Sequence, residues 1–183
     1  MAKFTQVDDR GRIFLIEDLL PPEQCAELLE TDWQNLPWHL GLKQESWPRR
    51  WINGDDPTSQ KLAQYINNQL PTINSALGTD FQRCGGQFWI DQPGFTVRLL
   101  TDGHLPNSMQ IYWIMPGPEY GTGFYRYKSI DSLFYQFQSL PNSGYIMLNH
   151  ADPDGSQPLQ WHAMVNPVPE GFIRVSGYWM FQR

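Results

Sequence analysis

From Phe81 onward the apolar residues recur with a period of two, and this constrains the fold more than any other property of the chain. Segments 88–91, 95–100, 109–114, 123–127, 144–148 and 172–181 read as strands, separated by turn-forming runs such as Pro116-Gly117-Pro118 and Asp152-Pro153-Asp154-Gly155. Successive side chains of an extended chain point to opposite faces, so short strands punctuated by turns specify an antiparallel sandwich or jelly roll. Aromatic residues make up 14% of the chain, with 8 Trp, and many fall inside these segments. Side chains of that size fill the space between two sheets.

Ahead of Phe81 the pattern is helical. Ile13-Phe14-Leu15-Ile16 reads as one short strand. Pro21-Pro22-Glu23-Gln24 opens a helix, with proline tolerated in the first turn and acid near the positive end; Cys25, Leu28 and Leu29 form its apolar face. Asp55-Asp56-Pro57-Thr58 offers caps for a second helix, in which Leu62, Tyr65, Ile66, Leu70 and Ile73 keep a helical period through Pro71. Segment 33–51 reads as irregular and aromatic. The expected architecture is α+β in a single domain, residues 1–183. A strand and helices occupy 1–80, and a double-stranded β-helix (a cupin-like jelly roll) occupies 81–183. A chain of 183 residues buries a sizeable core without disulfide or metal staples.

The net charge of −6 comes from only 17% charged residues, and no Lys/Arg cluster exists beyond Arg49-Arg50. That argues against a nucleic-acid partner. No apolar run approaches the roughly 20 residues that span a bilayer, which argues against a membrane partner. Residues 1–9 hold no apolar signal core, and Cys25 and Cys84 are the only cysteines. Together these predict a cytoplasmic protein with free thiols.

The candidate chemistry is split across the second half. Asp102-Gly103-His104 follows the Pro93-Gly94-Phe95 turn. On extended chain, residues 102 and 104 share a face and reach one ion; the same string is also good surface-turn chemistry. His162 stands alone between Trp161 and Ala163, as many structural histidines do, and Arg174 follows twelve residues later. Arg174, Ser176 and Tyr178 share one strand face, while Ile173, Val175, Gly177 and Trp179 share the other. An inward guanidinium needs an anionic partner, either a dicarboxylate ligand or a protein carboxylate such as Asp91. Two imidazoles and one carboxylate make the donor set that holds non-haem Fe(II) on one face. His39 and His150 are weaker candidates, as polar contacts near a pocket. No Ser-His-Asp arrangement, phosphate-binding glycine loop or zinc-spaced cysteine pair is present.

Taken in order, these residues resemble the Fe(II)/2-oxoglutarate-dependent oxygenases, especially their small prolyl-hydroxylase-like members. The phrase from Phe14 to Cys25 is similar to that family's opening strand and helix. Asp91-Gln92-Pro93-Gly94-Phe95 leads into its metal strand. Gln110-Ile111-Tyr112, Gly121-Thr122-Gly123-Phe124-Tyr125, Pro141-Asn142-Ser143-Gly144-Tyr145, Trp161-His162 and Arg174-Val175-Ser176 match later landmarks. The resemblance implies Fe(II) and 2-oxoglutarate as cofactors, with Asp102 and His162 as catalytic metal ligands. Arg174 and Ser176 hold the cosubstrate carboxylate, and Tyr112 or Gln110 adds a hydrogen bond. It further implies hydroxylation of an amino acid, peptide or small metabolite, chosen by loops 33–51 and 128–139, with release of succinate and CO₂. One position departs from the family. Its proximal ligands form His-x-Asp, and the histidine position is Leu100. The related halogenases lose the carboxylate instead, so halogenation is not implied. His104 is the expected replacement donor, from the other side of Asp102. The alternative expectation is a lapsed oxygenase fold that serves as a binding module or non-catalytic partner.

Overall fold

The computed structural model describes residues 2–40, 48–52, 54–102, 107–149 and 160–183. Among these lie twelve strands: β1 (Lys3–Gln6), β2 (Ile13–Glu17), β3 (His39–Leu40), β4 (Arg49–Ile52), β5 (Arg83–Asp91), β6 (Leu100–Thr101), β7 (Ser108–Ile114), β8 (Thr122–Tyr125), β9 (Leu133–Gln136), β10 (Ser143–Met147), β11 (Trp161–Met164) and β12 (Arg174–Gln182). They form two antiparallel sheets. The larger has the order β1-β2-β10-β7-β12-β5-β4-β3, and the smaller β6-β11-β8-β9.

Three helices cover the outer face of the larger sheet: α1 (Pro22–Glu30), α2 (Pro57–Asn68) and α3 (Leu70–Leu77). The Asp56 side chain caps α2, accepting from the Thr58 amide at 2.8 Å, and Pro57 fits the first turn, where no N–H is needed. The continuous period from Leu62 to Ile73 is broken into two helices at Gln69. Pro71 has no N–H to give back to residue 67, and its ring crowds the preceding turn, so the chain restarts with Pro71 in the first turn of α3. Gly78, at φ 65°, ends α3 in the left-handed region that only glycine enters without strain.

Strict alternation along the central strands divides the interior in two. Val175, Trp179 and Phe181 of β12, Phe88 and Ile90 of β5, and Met109, Ile111 and Trp113 of β7 face the helices. There they pack with Leu28, Leu62, Ile66, Leu70 and Ile73. Full burial of such a side chain is worth roughly 1.5–3 kcal/mol. Alternate residues face the smaller sheet, where Tyr112, Tyr145 and Met147 meet Phe124 and Phe137. This arrangement agrees with a jelly roll.

Local structure departs from the sequence expectation at several places. Of segment 95–100, only Leu100 begins a ladder strand. Phe95 and Val97 instead bond the backbone of 164–168, with Val168 N donating to Phe95 O at 2.9 Å and Met164 N to Val97 O at 3.0 Å. Segment 33–51 contains β3 and β4, which extend the larger sheet past β5. The second expected substrate loop, 128–139, contains β9. Strand β1 is mostly exposed and holds a single apolar residue, Phe4, packed against the core, so it carries no apolar period to read. Cys25 and Cys84 are unpaired thiols, and burial pushes the Cys84 thiol up to about 12. No helix among the described residues is long and apolar enough to cross a membrane.

Candidate active site

Pairing across three adjacent strands sets a row of charges. Arg49 of β4 is the register partner of Asp91 on β5, and Asp91 is the register partner of Arg174 on β12. Arg49 donates to the carboxylate through Nε at 2.5 Å and Nη2 at 3.1 Å. Arg174 donates to it through Nε at 2.8 Å and Nη2 at 2.7 Å. Burial works against the Asp91 carboxylate, but Arg49 and then Arg174 outweigh it and hold its pKa below the ordinary value. Asp91 is therefore the anionic partner of Arg174 in this fold. The Arg174 side chain is 1% exposed and that of Arg49 15%.

The row borders a cavity of about 160 Å³ between the two sheets. Arg49, Arg174, Trp89 and Tyr178 line one part of it, and Leu100, Asp102 and His162 another. Gln110, Thr122 and Tyr145 add polar groups, while Val97, Met147 and Met164 contribute apolar wall. A hydrogen-bond chain fixes these polar groups. Gln110 Nε2 donates to Ser176 Oγ at 3.0 Å, and Tyr145 OH donates to Gln110 Oε1 at 2.6 Å. Thr122 Oγ1 donates to the Tyr145 hydroxyl at 3.3 Å and lies 3.0 Å from that of Tyr112. Burial, reinforced by Tyr112, raises the Tyr145 pKa far above its usual value, so the phenol stays a neutral donor. Ser176 and Tyr112 stand behind the cavity wall, not on it. Ser176 holds Gln110, and the Tyr112 ring lies 5.6 Å from the Arg174 guanidinium.

Asp102 and His162 meet because β6 pairs with β11. Leu100 is the register partner of His162, and Asp102, two residues on, shares the Leu100 face. Asp102 Oδ2 lies 3.5 Å from His162 Nε2. His162 Nδ1 is 3.1 Å from the Gln160 carbonyl, which only accepts, so Nδ1 carries a proton. In the neutral ring Nε2 is then an acceptor facing a carboxylate. A cation held between the two, a proton or a metal ion, makes that contact favourable. Two donors about 2.1 Å from a first-row ion stand about 3.0 Å apart at 90° and about 3.4 Å apart at 110°, so the pair lies close to the spacing that one ion spans. The backbone carbonyl on Nδ1 is also the usual support for a ligating imidazole. Among the described residues no third His, Cys, Asp or Glu completes the group. Leu100 stands where one is expected; His104 and His150 lie outside the described residues. His39 sits in β3 beside Trp51, with ring centroids 5.3 Å apart, and does not line the cavity.

Sequence reading alone misses Arg49, Trp89, Thr122 and Tyr145 as cavity residues. Thr122 and Tyr145 sit in strands buried on both faces, so no polar–apolar alternation marks which of their residues face the cavity. Arg49 depends on the β4–β5 pairing, which nothing local announces.

No protein-family model matches the chain, and no curated protein sequence does. Solved structures do match. The chain is similar to a prolyl-4-hydroxylase from Pseudomonas putida, with TM-score 0.58 and 15% identity over 94% of this chain and 92% of that one. It is similar to the viral collagen prolyl hydroxylase of Paramecium Bursaria Chlorella virus-1, solved in complex with 2-oxoglutarate, with TM-score 0.60 and 16% identity over 96% and 98%. It is also similar to HygX from Streptomyces hygroscopicus, solved with nickel, 2-oxoglutarate and hygromycin B. There the TM-score is 0.58, with 10% identity over 92% and 82%. At these identities the likeness is one of fold.

Proposed function

We propose that the cavity is a non-haem Fe(II)/2-oxoglutarate oxygenase site, set in a double-stranded β-helix and acting on an amino acid, peptide or small metabolite. The observation that carries this reading is the 3.5 Å contact between Asp102 and His162, in the same cavity as Arg174. The structural neighbours crystallised with 2-oxoglutarate support it. When bound, iron and 2-oxoglutarate supply oxidative decarboxylation to succinate and CO₂, coupled to hydroxylation of a substrate C–H bond. The chain's own part is positional. Asp102 and His162 hold the metal, with the Gln160 carbonyl fixing the His162 ring. Arg174 offers its guanidinium to a cosubstrate carboxylate, while Ser176 and Tyr112 hold Gln110 and the Arg174 surroundings from behind. Val97, Met147 and Met164 keep the cavity dry. His104 is the proposed third donor in place of Leu100.

A second reading, a lapsed site that binds without catalysis, is favoured by Leu100, which lines the cavity directly opposite His162 in the β6–β11 ladder. One assay separates the two. Protein loaded anaerobically with Fe(II) and 2-oxoglutarate is given O₂, and succinate is measured. The oxygenase reading predicts stoichiometric or greater succinate. It predicts a loss of more than about tenfold in Fe(II) affinity for His104→Ala, the scale at which even supporting groups act, with affinity restored by a Leu100→His exchange in the same variant. No succinate and no iron-dependent cosubstrate binding overturns the oxygenase reading. Unchanged affinity in His104→Ala removes only the third-donor assignment.

A further inference from the structure

Arg49 has no place in the motif that suggested the site, yet it is built into the cavity with care. Its guanidinium lies 4.0 Å from the Trp89 ring centroid and 4.1 Å from that of Phe95, and two of its nitrogens bond Asp91. An arginine held between two aromatic rings and a carboxylate has little rotamer freedom left to lose when a ligand arrives. The charges do not cancel. Both guanidiniums stay protonated and Asp91 is ionised, so two positive charges share one negative in a row where Asp91 and Arg174 are shut off from water. Among the described residues no other carboxylate pairs with either arginine. Asp91 by itself would neutralise Arg174 and leave it a poor anion receptor.

We infer that Arg49 and Arg174 form a two-guanidinium clamp for one carboxylate of the cavity ligand, with Asp91 as the internal anion that spaces them. Arg49 supplies the net positive charge that Asp91 removes from Arg174. The identity of the ligand as a dicarboxylate rests on the oxygenase reading; the clamp itself needs no metal.

The probe is succinate, added to protein stripped with EDTA and followed by calorimetry. Arg49→Gln should weaken succinate binding about tenfold or more, as expected for loss of a charged hydrogen-bonding partner. Arg49→Lys, which keeps the charge but not the fork, should recover part of it. Arg50→Gln makes the same charge change at an exposed position of the same strand and should stay within about twofold of wild type. Circular dichroism checks that each variant is folded. Succinate affinity within twofold of wild type in Arg49→Gln, or an equal loss in Arg50→Gln, overturns the clamp. So does wild-type protein that binds no succinate. Iron-dependent 2-oxoglutarate binding that survives Arg49→Gln overturns the clamp and leaves the oxygenase reading standing. Arg49-dependent succinate binding in a protein that takes no iron upholds the clamp and removes that reading.

Discussion

Asp91 is where the stability of the fold and the proposed ligand clamp meet in one side chain. It is fully buried and accepts from two guanidiniums, so removing its charge strands two cations in a dry row. Asp91→Asn is predicted to cost about 3–5 kcal/mol, the range for breaking a buried pair from one side, measured by denaturant unfolding. The pH dependence follows from the direction of its shift. The folded pKa lies below the unfolded value of 3.8. The contribution is therefore complete above about pH 4 and is lost as the pH falls through the folded value. Wild-type stability should drop steeply with acidification below pH 4, and the Asp91→Asn variant should show a shallower slope there. Equal slopes would place the acid sensitivity elsewhere.

Strand β12 is the element on which both halves of the molecule depend. Its cavity face carries Arg174, Ser176 and Tyr178, and its other face carries Val175, Gly177, Trp179 and Phe181, a division that the period-two pattern gives directly. The helix side is packed without slack. Trp179 is 2% exposed and meets Trp113 edge-on, with ring centroids 5.8 Å apart. A Cβ on Gly177 would come within 1.6 Å of its ring, and one on Gly86 of β5 within 2.6 Å. The indole lies over both glycines. Gly177→Ala is predicted to destabilise by about 2–3 kcal/mol through overpacking, seen as a lower urea midpoint with an unchanged m-value. A neutral result would mean that the indole has room to move. Three of the shorter strands were not legible in the same way. β3, β4 and β6 have too few residues to display a period, and what fixes them is pairing, of β3 with β4, β4 with β5 and β6 with β11. Hence segment 33–51 reads as irregular although it contributes two strands.

Over the whole molecule, two sheets are held apart by aromatic side chains, and a cavity remains between them. Distant parts of the chain meet at its walls. Register brings Asp102 to His162 across 60 residues through the Leu100–His162 pair, and Arg49 to Asp91 across 42. The ordered landmarks made the first meeting foreseeable from sequence. The second was not, because Asp91 was legible only as one possible partner of Arg174 and Arg49 only as part of a basic pair. The most direct test of the site as a whole is an anaerobic calorimetric titration of metal-free protein with Fe(II) in the presence of 2-oxoglutarate, run on wild type and on His162→Ala. A saturable one-to-one transition in wild type that depends on 2-oxoglutarate and is abolished in His162→Ala is the predicted result. An absence of Fe(II) binding in wild type, or binding that is indifferent to His162, would contradict it.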